Sequence, residues 1–149
     1  MRIAVACDHA GFPMKGYIHE AVASMGFEVL DLGTNSTDSV DYPDYAEKLG
    51  QAIVSKQADR GILLCGSGVG ACIAANKIKG IYAAICHDTY SARQGVEHDN
   101  MNVLCLGARI IGPEMIPDLV RAFLGAQFSA EKRHVRRVNK IRLIEERGM

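Results

Sequence analysis

The regular alternation of short apolar runs with helical segments is the feature that most constrains the fold of this chain. Apolar runs, each predicted to be a strand, cover residues 2–7, 27–32, 61–64, 81–86 and 103–106. Helical patterns cover residues 12–25, a segment after Pro43, a segment ending near Lys77, and residues 89–97, 113–123 and 131–147. Because right-handed crossovers between strands produce parallel sheets, we expect an α/β fold. Its form would be a Rossmann-like three-layer sandwich, a five-stranded parallel sheet with helices on both faces.

Length and charge favour a single domain with no preference for nucleic acid or membranes. The 149 residues suffice for one core, so residues 1–149 are predicted to form one domain. The 17 acidic and 17 basic side chains balance, which disfavours nucleic acid or a membrane surface as a partner. No apolar run has transmembrane length, and residues 1–6 are too short for a signal peptide.

The cysteines indicate a reducing compartment. There are five, an odd number, and four lie in or just after apolar runs. This pattern is typical of buried thiols in a cytoplasmic protein rather than of a disulfide framework. No cysteine pair or histidine cluster has the spacing of a structural zinc site, so we expect no metal.

The segment from Cys65 to Gly70 carries the clearest chemical signal. Cys65 follows the third apolar run, three glycines occupy the next five positions, and a helical pattern then begins. Glycines allow the backbone to approach a ligand closely, and the free N–H groups of a helix N-terminus attract anions. The same helix dipole favours a thiolate. The segment therefore predicts an anion-binding loop beside a candidate base or nucleophile.

Other ligand-binding loops fit this segment less well. A Walker-type loop ends in Gly-Lys-Ser/Thr, which is absent, and a cysteine-phosphatase loop has arginine where this chain has Ala71. Residues 66–71 match the dinucleotide pattern Gly-x-Gly-x-x-Ala, with Asp88 at a spacing suited to a ribose. They follow the third strand, however, whereas that pattern normally follows the first. Close packing of helix on sheet would also explain the glycines.

Polar residues gather at the predicted carboxyl ends of the strands, where open parallel sheets bind ligands. They are Asp8, His9, Cys65, Ser67, His87, Asp88, His98, Asp99, Asn100 and Arg109. Structural roles are the alternative: Asp8 can cap the first helix, and His98 can be a surface histidine. A solvated helix face can be formed by Arg133, His134, Arg136 and Arg137. Convergence on one sheet edge favours a shared cleft.

A set of motifs occurs in a fixed order along nearly the whole chain. In sequence order they are Cys7-Asp8-His9-Ala10-Gly11, Asp41-Tyr42-Pro43, residues 65–70, residues 74–77, Ser91-Ala92-Arg93, His98, Asn102-Val103, Gly107-Ala108-Arg109, and Arg133-His134 with Arg137. Together they resemble the B-type ribose-5-phosphate isomerase family, which includes isomerases of galactose 6-phosphate and allose 6-phosphate. The resemblance implies interconversion of ribose 5-phosphate and ribulose 5-phosphate, without a cofactor, in the non-oxidative pentose phosphate pathway.

The resemblance also implies catalytic roles, because the reaction moves a proton between neighbouring carbons through an enediolate. Cys65 matches the family's base, and the position where some relatives carry glutamate is Ala71 here. His98 would open the sugar ring, with Asp8 assisting. The enediolate oxygen would be held by Ser67 and by the backbone N–H groups of Gly66, Gly68, Val69 and Gly70.

Substrate-binding positions of the family match as well. The phosphate would contact His9, Arg109, Arg133 and Arg137, since paired guanidinium groups suit a phosphate dianion. Tyr42 would line the pocket, or would serve only as a packing aromatic.

One departure from the family pattern lies beside His98. Relatives usually carry His-Asn-Asp where this chain has His98-Asp99-Asn100. Either Asn100 replaces the missing amide contact to the sugar, or Asp99 accepts a sugar hydroxyl directly. The substrate range depends on the same two positions.

The resemblance implies a homodimer whose active sites are shared, the His98 region coming from the partner; a tetramer is left open. Residues 131–147 carry an apolar stripe at helical spacing, formed by Val135, Val138, Ile141 and Ile144. Such a stripe needs a cover, which either a second chain or the domain itself can supply.

Three other functions are compatible with parts of the sequence. An isomerase of the same family could prefer a six-carbon sugar phosphate, because pocket shape discriminates one hydroxymethyl group. A nucleotide-binding regulatory module could use residues 66–71. A metal-dependent isomerase is disfavoured because carboxylates and histidines form no ligand cluster in the sequence.

Overall fold

The computed structural model describes residues 1–148, and within this range the predicted α/β fold is confirmed. The strands are β1 (Arg2–Cys7), β2 (Glu28–Asp31), β3 (Arg60–Cys65), β4 (Ala83–Ile85) and β5 (Val103–Gly107). They pair in parallel, in the order β2-β1-β3-β5-β4. The chain leaves β1 toward one edge for β2, and β3 lies on the other side of β1. The ends of β1 and β3 therefore form a topological switch point, where open sheets bind ligands.

The helices lie close to the predicted segments. They are α1 (Lys15–Ser24), α2 (Tyr42–Val54), α3 (Val69–Ala75), α4 (Thr89–Asp99), α5 (Ile116–Leu124) and α6 (Lys132–Glu146). Short 3₁₀ turns at Phe12–Met14 and Pro113–Met115 precede α1 and α5. Across residues 1–148, no helix is both long enough and apolar enough to cross a membrane.

The fourth strand is shorter than predicted. The apolar run at 81–86 forms a strand only at Ala83–Ile85. The backbone N–H of Ile81 closes a turn on the carbonyl of Ile78. The N–H of Tyr82 bonds the side-chain oxygen of Asn102 at 2.8 Å. Because both amides are engaged outside the sheet, the strand begins two residues later.

Alternating side chains along the strands form two cores, one on each face of the sheet. On one face, Ile3 and Val5 of β1 pack with apolar residues of α1, α4 and α5. On the other, Ala4 and Ala6 pack with α2 and α3, and Cys65 belongs to this second core. The small alanines allow α2 and α3 to approach the sheet closely. The cysteine that ends β3 is thereby placed under the start of α3.

Helix α6 packs against α4 and leaves most of its apolar stripe uncovered. Val138 is buried, but Val135, Ile141 and Ile144 are 37%, 42% and 47% exposed. Packing on the chain's own domain therefore covers one of the four stripe residues. Val135 and Ile144 lie on opposite sides of α6, so the three exposed side chains are spread around the helix rather than grouped on one face.

Candidate functional site

A cavity of about 370 Å³ opens at the switch point between β1 and β3. Its lining combines residues from the ends of β1, β3 and β5 with the start of α2: Asp8, His9, Ala10, Tyr42, Cys65, Gly66, Ser67, Gly70, Arg109 and Ile110. Eight of these are predicted site residues, and the remaining two, Ala10 and Ile110, are neighbours of His9 and Arg109 in the sequence. We call this cavity the Cys65 cleft.

The Cys65 thiol lies at the base of the glycine loop. Its side chain is only 4% exposed, and the backbone N–H of Gly68 donates to Sγ at 3.1 Å. Gly68 can do so because it has φ +85°, in the left-handed region that favours glycine, and it is the N-cap of α3. The sulfur is therefore held against the N-terminus of α3, where negative charge is stabilised.

Ser67 and Val69 complete the start of α3. The Ser67 hydroxyl accepts a hydrogen bond from the backbone N–H of Val69 at 3.2 Å. Because the hydroxyl oxygen is the acceptor in that bond, its proton is free to point into the cavity. Ser67 and Val69 are both exposed, so this end of the loop can meet a ligand.

Gly70 makes room for Tyr42. A Cβ atom at Gly70 would lie 2.6 Å from the Tyr42 ring, so any larger residue there would displace the ring from this position. Tyr42 is the first residue of α2, and Pro43 follows it in the first turn, where a missing N–H costs nothing. The ring therefore lies on bare backbone of the glycine loop and forms one wall of the Cys65 cleft.

Asp8 holds the turn after β1 and lines the cleft; it does not cap a helix, since the N-caps of the 3₁₀ turn and of α1 are Gly11 and Met14. Its carboxylate is 5% exposed and accepts hydrogen bonds from the N–H groups of Ala10 at 3.0 Å and Gly11 at 2.9 Å. Gly11 must be glycine, since a Cβ there would meet the Leu64 carbonyl at 2.6 Å. The turn after β1 is thereby fixed against β3.

His9 is linked to the loop between β2 and α2. Its Nδ1 accepts a hydrogen bond from the backbone N–H of Val40 at 3.2 Å. The far end of that loop is held by Lys15, whose Nζ donates to the Asp31 carboxylate, to the Thr34 carbonyl at 2.9 Å and to the Asn35 side chain at 2.7 Å. Sequence analysis missed this buried lysine, because at the start of an amphipathic helix it looks like a surface residue.

Arg109 lies at the rim of the cleft, just beyond β5. Its backbone N–H donates to the Gly66 carbonyl at 3.0 Å. A Cβ at Gly66 would lie 3.3 Å from the guanidinium, so the side chain extends over the glycine loop. The exposed guanidinium is thus placed beside the anion-binding N-terminus of α3.

The remaining predicted cations and the ring-opening histidine lie on α4 and α6, and none of them is among the residues that line the Cys65 cleft. His98 stacks on the buried His134 with ring centroids 4.0 Å apart, and its Nδ1 bonds the Gln94 side chain at 2.9 Å. Arg133 pairs with Glu131, and Arg137 is exposed. We call His98, Arg133, His134 and Arg137 the His98 cluster.

Electrostatics within the His98 cluster favour a neutral His134. Burial lowers the pKa of His134, and the nearby His98 and Arg133 lower it further. The Nδ1 atom of His134 also shares a hydrogen bond with the Ser129 hydroxyl. A neutral, buried ring gives His98 a flat surface to stack on without adding charge repulsion.

Asp99 and Asn100 form the end of α4, beside the His98 cluster. Asn100 is the C-cap, with φ +55°, a left-handed conformation that asparagine tolerates better than most residues. Asp99 is exposed and lines a separate depression with Tyr82 and Ile141. The order Asp-Asn thus places the amide side chain at the helix cap and the carboxylate on the surface.

Asp88 caps a helix, which weakens the dinucleotide interpretation. Its carboxylate accepts from the N–H of Ser91 at 2.7 Å at the start of α4, and this hydrogen bond lowers the pKa of Asp88. The acidic residue needed to hold a ribose is therefore already engaged. Among residues 1–148, no three His, Cys, Asp or Glu side chains are grouped so as to hold a metal ion.

Comparison with known proteins finds relatives along most or all of the chain. The family model of ribose/galactose isomerases matches residues 3–141. Ribose-5-phosphate isomerase B of Escherichia coli is 44% identical over 98% of this chain and 97% of that protein. D-erythrulose-4-phosphate isomerase of Pectobacterium atrosepticum is 43% identical over 86% of this chain and 85% of that protein. The solved structure of Clostridium thermocellum ribose-5-phosphate isomerase B has a TM-score of 0.96 and 43% identity, with 100% of both chains covered.

Proposed function

The chain belongs to the ribose/galactose isomerase family, and we propose that it is an isomerase that interconverts ribose 5-phosphate and ribulose 5-phosphate. The observation that carries the proposal is the buried Cys65 thiol, held against the N-terminus of α3 at the base of a cavity rimmed by Arg109. A base and an anion-binding loop are therefore within one cleft, as an enediolate intermediate requires.

Cys65 is the proposed base. Its thiolate removes the proton from C2 of the open-chain aldose, and the electron pair forms the enediolate. The hydroxyl proton passes from O2 to O1, and the thiol returns its proton to C1, which gives the ketose and regenerates the thiolate. The reaction is balanced, with no net gain or loss of protons or electrons. The N-terminus of α3 supports this role because it stabilises the thiolate before transfer.

The glycine loop is the proposed oxyanion site. Negative charge develops on the oxygen of the former carbonyl, and the N–H of Gly70 in the first turn of α3 suits that charge. The N–H groups of Gly68 and Val69, which sequence analysis also assigned to the oxyanion, already donate to Cys65 Sγ and Ser67 Oγ. The hydroxyl proton of Ser67 is available as a further donor, because its oxygen accepts from Val69. Asp8 would act on the sugar from the wall of the cleft, in addition to holding the turn after β1.

Arg109 and His9 are the proposed phosphate contacts within the chain. His9 lies just after β1 and Arg109 lies just after β5, and both line the same cavity. A guanidinium offers paired donors to a phosphate dianion, and the Nε2 of a histidine whose Nδ1 is an acceptor carries the proton and can donate. Free ribose would lack these contacts.

A homodimer with shared sites is proposed to complete the cleft. Ring opening and the rest of the phosphate clamp are assigned to His98, Arg133 and Arg137 of a second copy. Two observations support this arrangement: the His98 cluster does not line the chain's own cleft, and the apolar side chains of Val135, Ile141 and Ile144 on α6 are exposed. Asp99 or Asn100 would then reach the sugar from the same copy.

A reducing location such as the cytoplasm fits the cysteines. All five are free thiols, and four of them are buried.

A second candidate substrate is a four-carbon sugar phosphate, which is favoured by the 43% identity to D-erythrulose-4-phosphate isomerase. Substrates of four, five and six carbons would differ only in chain length beyond the reacting carbons.

The test is an isomerisation assay with ribose 5-phosphate, erythrulose 4-phosphate and allose 6-phosphate, each with EDTA present. We expect ribose 5-phosphate to have the highest kcat/KM, free ribose to be a very poor substrate, and EDTA to have no effect. A preference for a four- or six-carbon substrate would support the proposed isomerase activity but would change the proposed substrate. Absence of turnover with all three would contradict the proposal.

A further inference from the structure

His87 follows β4 and does not line the Cys65 cleft. It is nevertheless bonded directly to the last residue of β5, two positions before Arg109. Its Nε2 accepts a hydrogen bond from the backbone N–H of Gly107 at 3.0 Å. A ring nitrogen that accepts carries no proton, so this imidazole is neutral and protonated at Nδ1. Burial lowers the pKa of His87, which is consistent with the neutral ring.

Gly107 is the last residue of β5 and lies against the glycine loop. A Cβ there would meet the carbonyl oxygen of Ser67 at 2.6 Å, so the two backbones are in direct contact. The next two residues are bonded to the same loop: the N–H of Ala108 donates to the Cys65 carbonyl at 2.8 Å, and that of Arg109 donates to the Gly66 carbonyl at 3.0 Å.

Three consecutive backbone amides, 107 to 109, are therefore fixed, two by the glycine loop and the first by His87. Gly107 is buried, so without an acceptor its N–H would be left unsatisfied away from water. The strand end would then shift or twist to find a partner, and Arg109 and the Ser67 carbonyl would move with it.

We propose that His87 is a positioning residue for phosphate binding, which acts through its hydrogen bond to Gly107 on the placement of Arg109 over the glycine loop. The inference rests on the proposed function and deepens it, because it identifies a residue outside the cleft that sets phosphate affinity. His87 is not among the residues that line the Cys65 cleft, so its effect falls on KM rather than on proton transfer.

Two substitutions of similar length separate the hydrogen bond from the imidazole itself. His87→Gln keeps an acceptor near the position of Nε2, whereas His87→Met fills similar space without a strong acceptor. We expect His87→Met to raise KM for ribose 5-phosphate about tenfold, the scale of one lost buried hydrogen bond, with kcat changed less than about threefold. His87→Gln should stay within about threefold of wild type in both constants.

Inorganic phosphate binding gives a readout that does not need turnover. The dissociation constant for phosphate should rise in His87→Met in parallel with KM and stay near wild type in His87→Gln. Equal KM and equal phosphate affinity in both variants would overturn the proposal, even if both lose thermal stability. Wild-type protein that binds phosphate but isomerises none of the sugars would contradict the proposed function while leaving the role of His87 testable.

A measurement on unmodified protein covers the case in which His87→Met does not fold. The imidazole ¹⁵N resonances of His87 should show the Nδ1–H form. Phosphate added to the wild type should shift the Gly107 amide and His87 Nε2 resonances along with those of Arg109. Arg109 resonances that move while Gly107 and His87 stay unchanged would overturn the coupling.

Discussion

The Cys65 cleft and the His98 cluster hold their polar groups in different ways. In the cleft, Cys65, Asp8 and Arg109 lie at strand ends and are fixed by hydrogen bonds to neighbouring backbone. In the cluster, His98 is held by a ring stack and a side-chain amide, and Arg137 extends from an exposed helix face. The sheet of one chain brings the first set together, whereas the second set lies on α4 and α6, outside the cleft. This difference fits the proposed site shared between two copies, in which each chain encloses its own cleft and supplies the His98 cluster to its partner.

The largest effect is expected in the cleft. Cys65→Ala should lower kcat by at least about 10²-fold, the usual scale for a positioned acid–base group, with the fold retained. Cys72→Ala, a thiol-to-methyl change within α3, is the matched control and should keep most of the activity. Near-normal kcat in Cys65→Ala, measured with ribose 5-phosphate, would remove Cys65 from the role of base.

Alkylation of the same thiol needs the Cys72→Ala background. Cys72 is half-buried, and a hydrogen bond from Cys105 lowers its pKa to about 7, so it competes for iodoacetamide. In that background, alkylation should inactivate the enzyme at Cys65, and bound sugar phosphate should protect. Loss of activity without modification of Cys65, followed by mass spectrometry, would contradict the assignment.

Mixing two inactive variants tests whether cleft and cluster come from different chains. Cys65→Ala and His98→Ala should each be nearly inactive as homodimers. After unfolding and refolding together, about half of the dimers are mixed, and each mixed dimer has one intact site, so roughly a quarter of wild-type activity should return. No recovery in a sample shown by mass to contain heterodimers would place both residues in one chain's site.

A smaller effect is expected from the arginines of α6. Arg133 and Arg137 are four residues apart and share one helix face, whereas Arg136 is about 100° away from Arg137 around the helix. Arg137→Ala should raise KM for ribose 5-phosphate about tenfold through loss of a charge-assisted contact, with a smaller change in kcat. Arg136→Ala is the control. Equal KM values for the two variants would contradict the proposed role of Arg137 in phosphate binding.

The sequence predicts the Cys65 cleft better than it predicts the His98 cluster, because the two regions are built differently. Strand ends could be located from apolar runs, and parallel topology then forces Asp8, Cys65 and Arg109 onto one edge. The stacking of His98 on His134 could not be predicted, because it depends on how α6 crosses α4. Lys15 and His87 were missed as structural supports, since their roles come from contacts distant in sequence. The strand at 81–86 was predicted too long because Asn102 competes for its backbone.

The smallest expected effect is a loss of stability in acid that can be assigned to either region. Burial lowers the pKa of His134 in the cluster and of His87 beside the cleft, and also that of His19 on α1, outside both regions, which contributes equally to all the proteins compared. A histidine whose folded pKa lies below its unfolded value of about 6.5 binds fewer protons when folded, so its contribution is constant above that pH and is lost as pH falls through it. The free energy of unfolding should therefore decrease from pH 7 to pH 5.5. Urea unfolding of wild type, His134→Gln and His87→Gln at both pH values measures each share: every substitution should lessen the decrease, and a decrease unchanged in both variants would contradict the prediction for both regions.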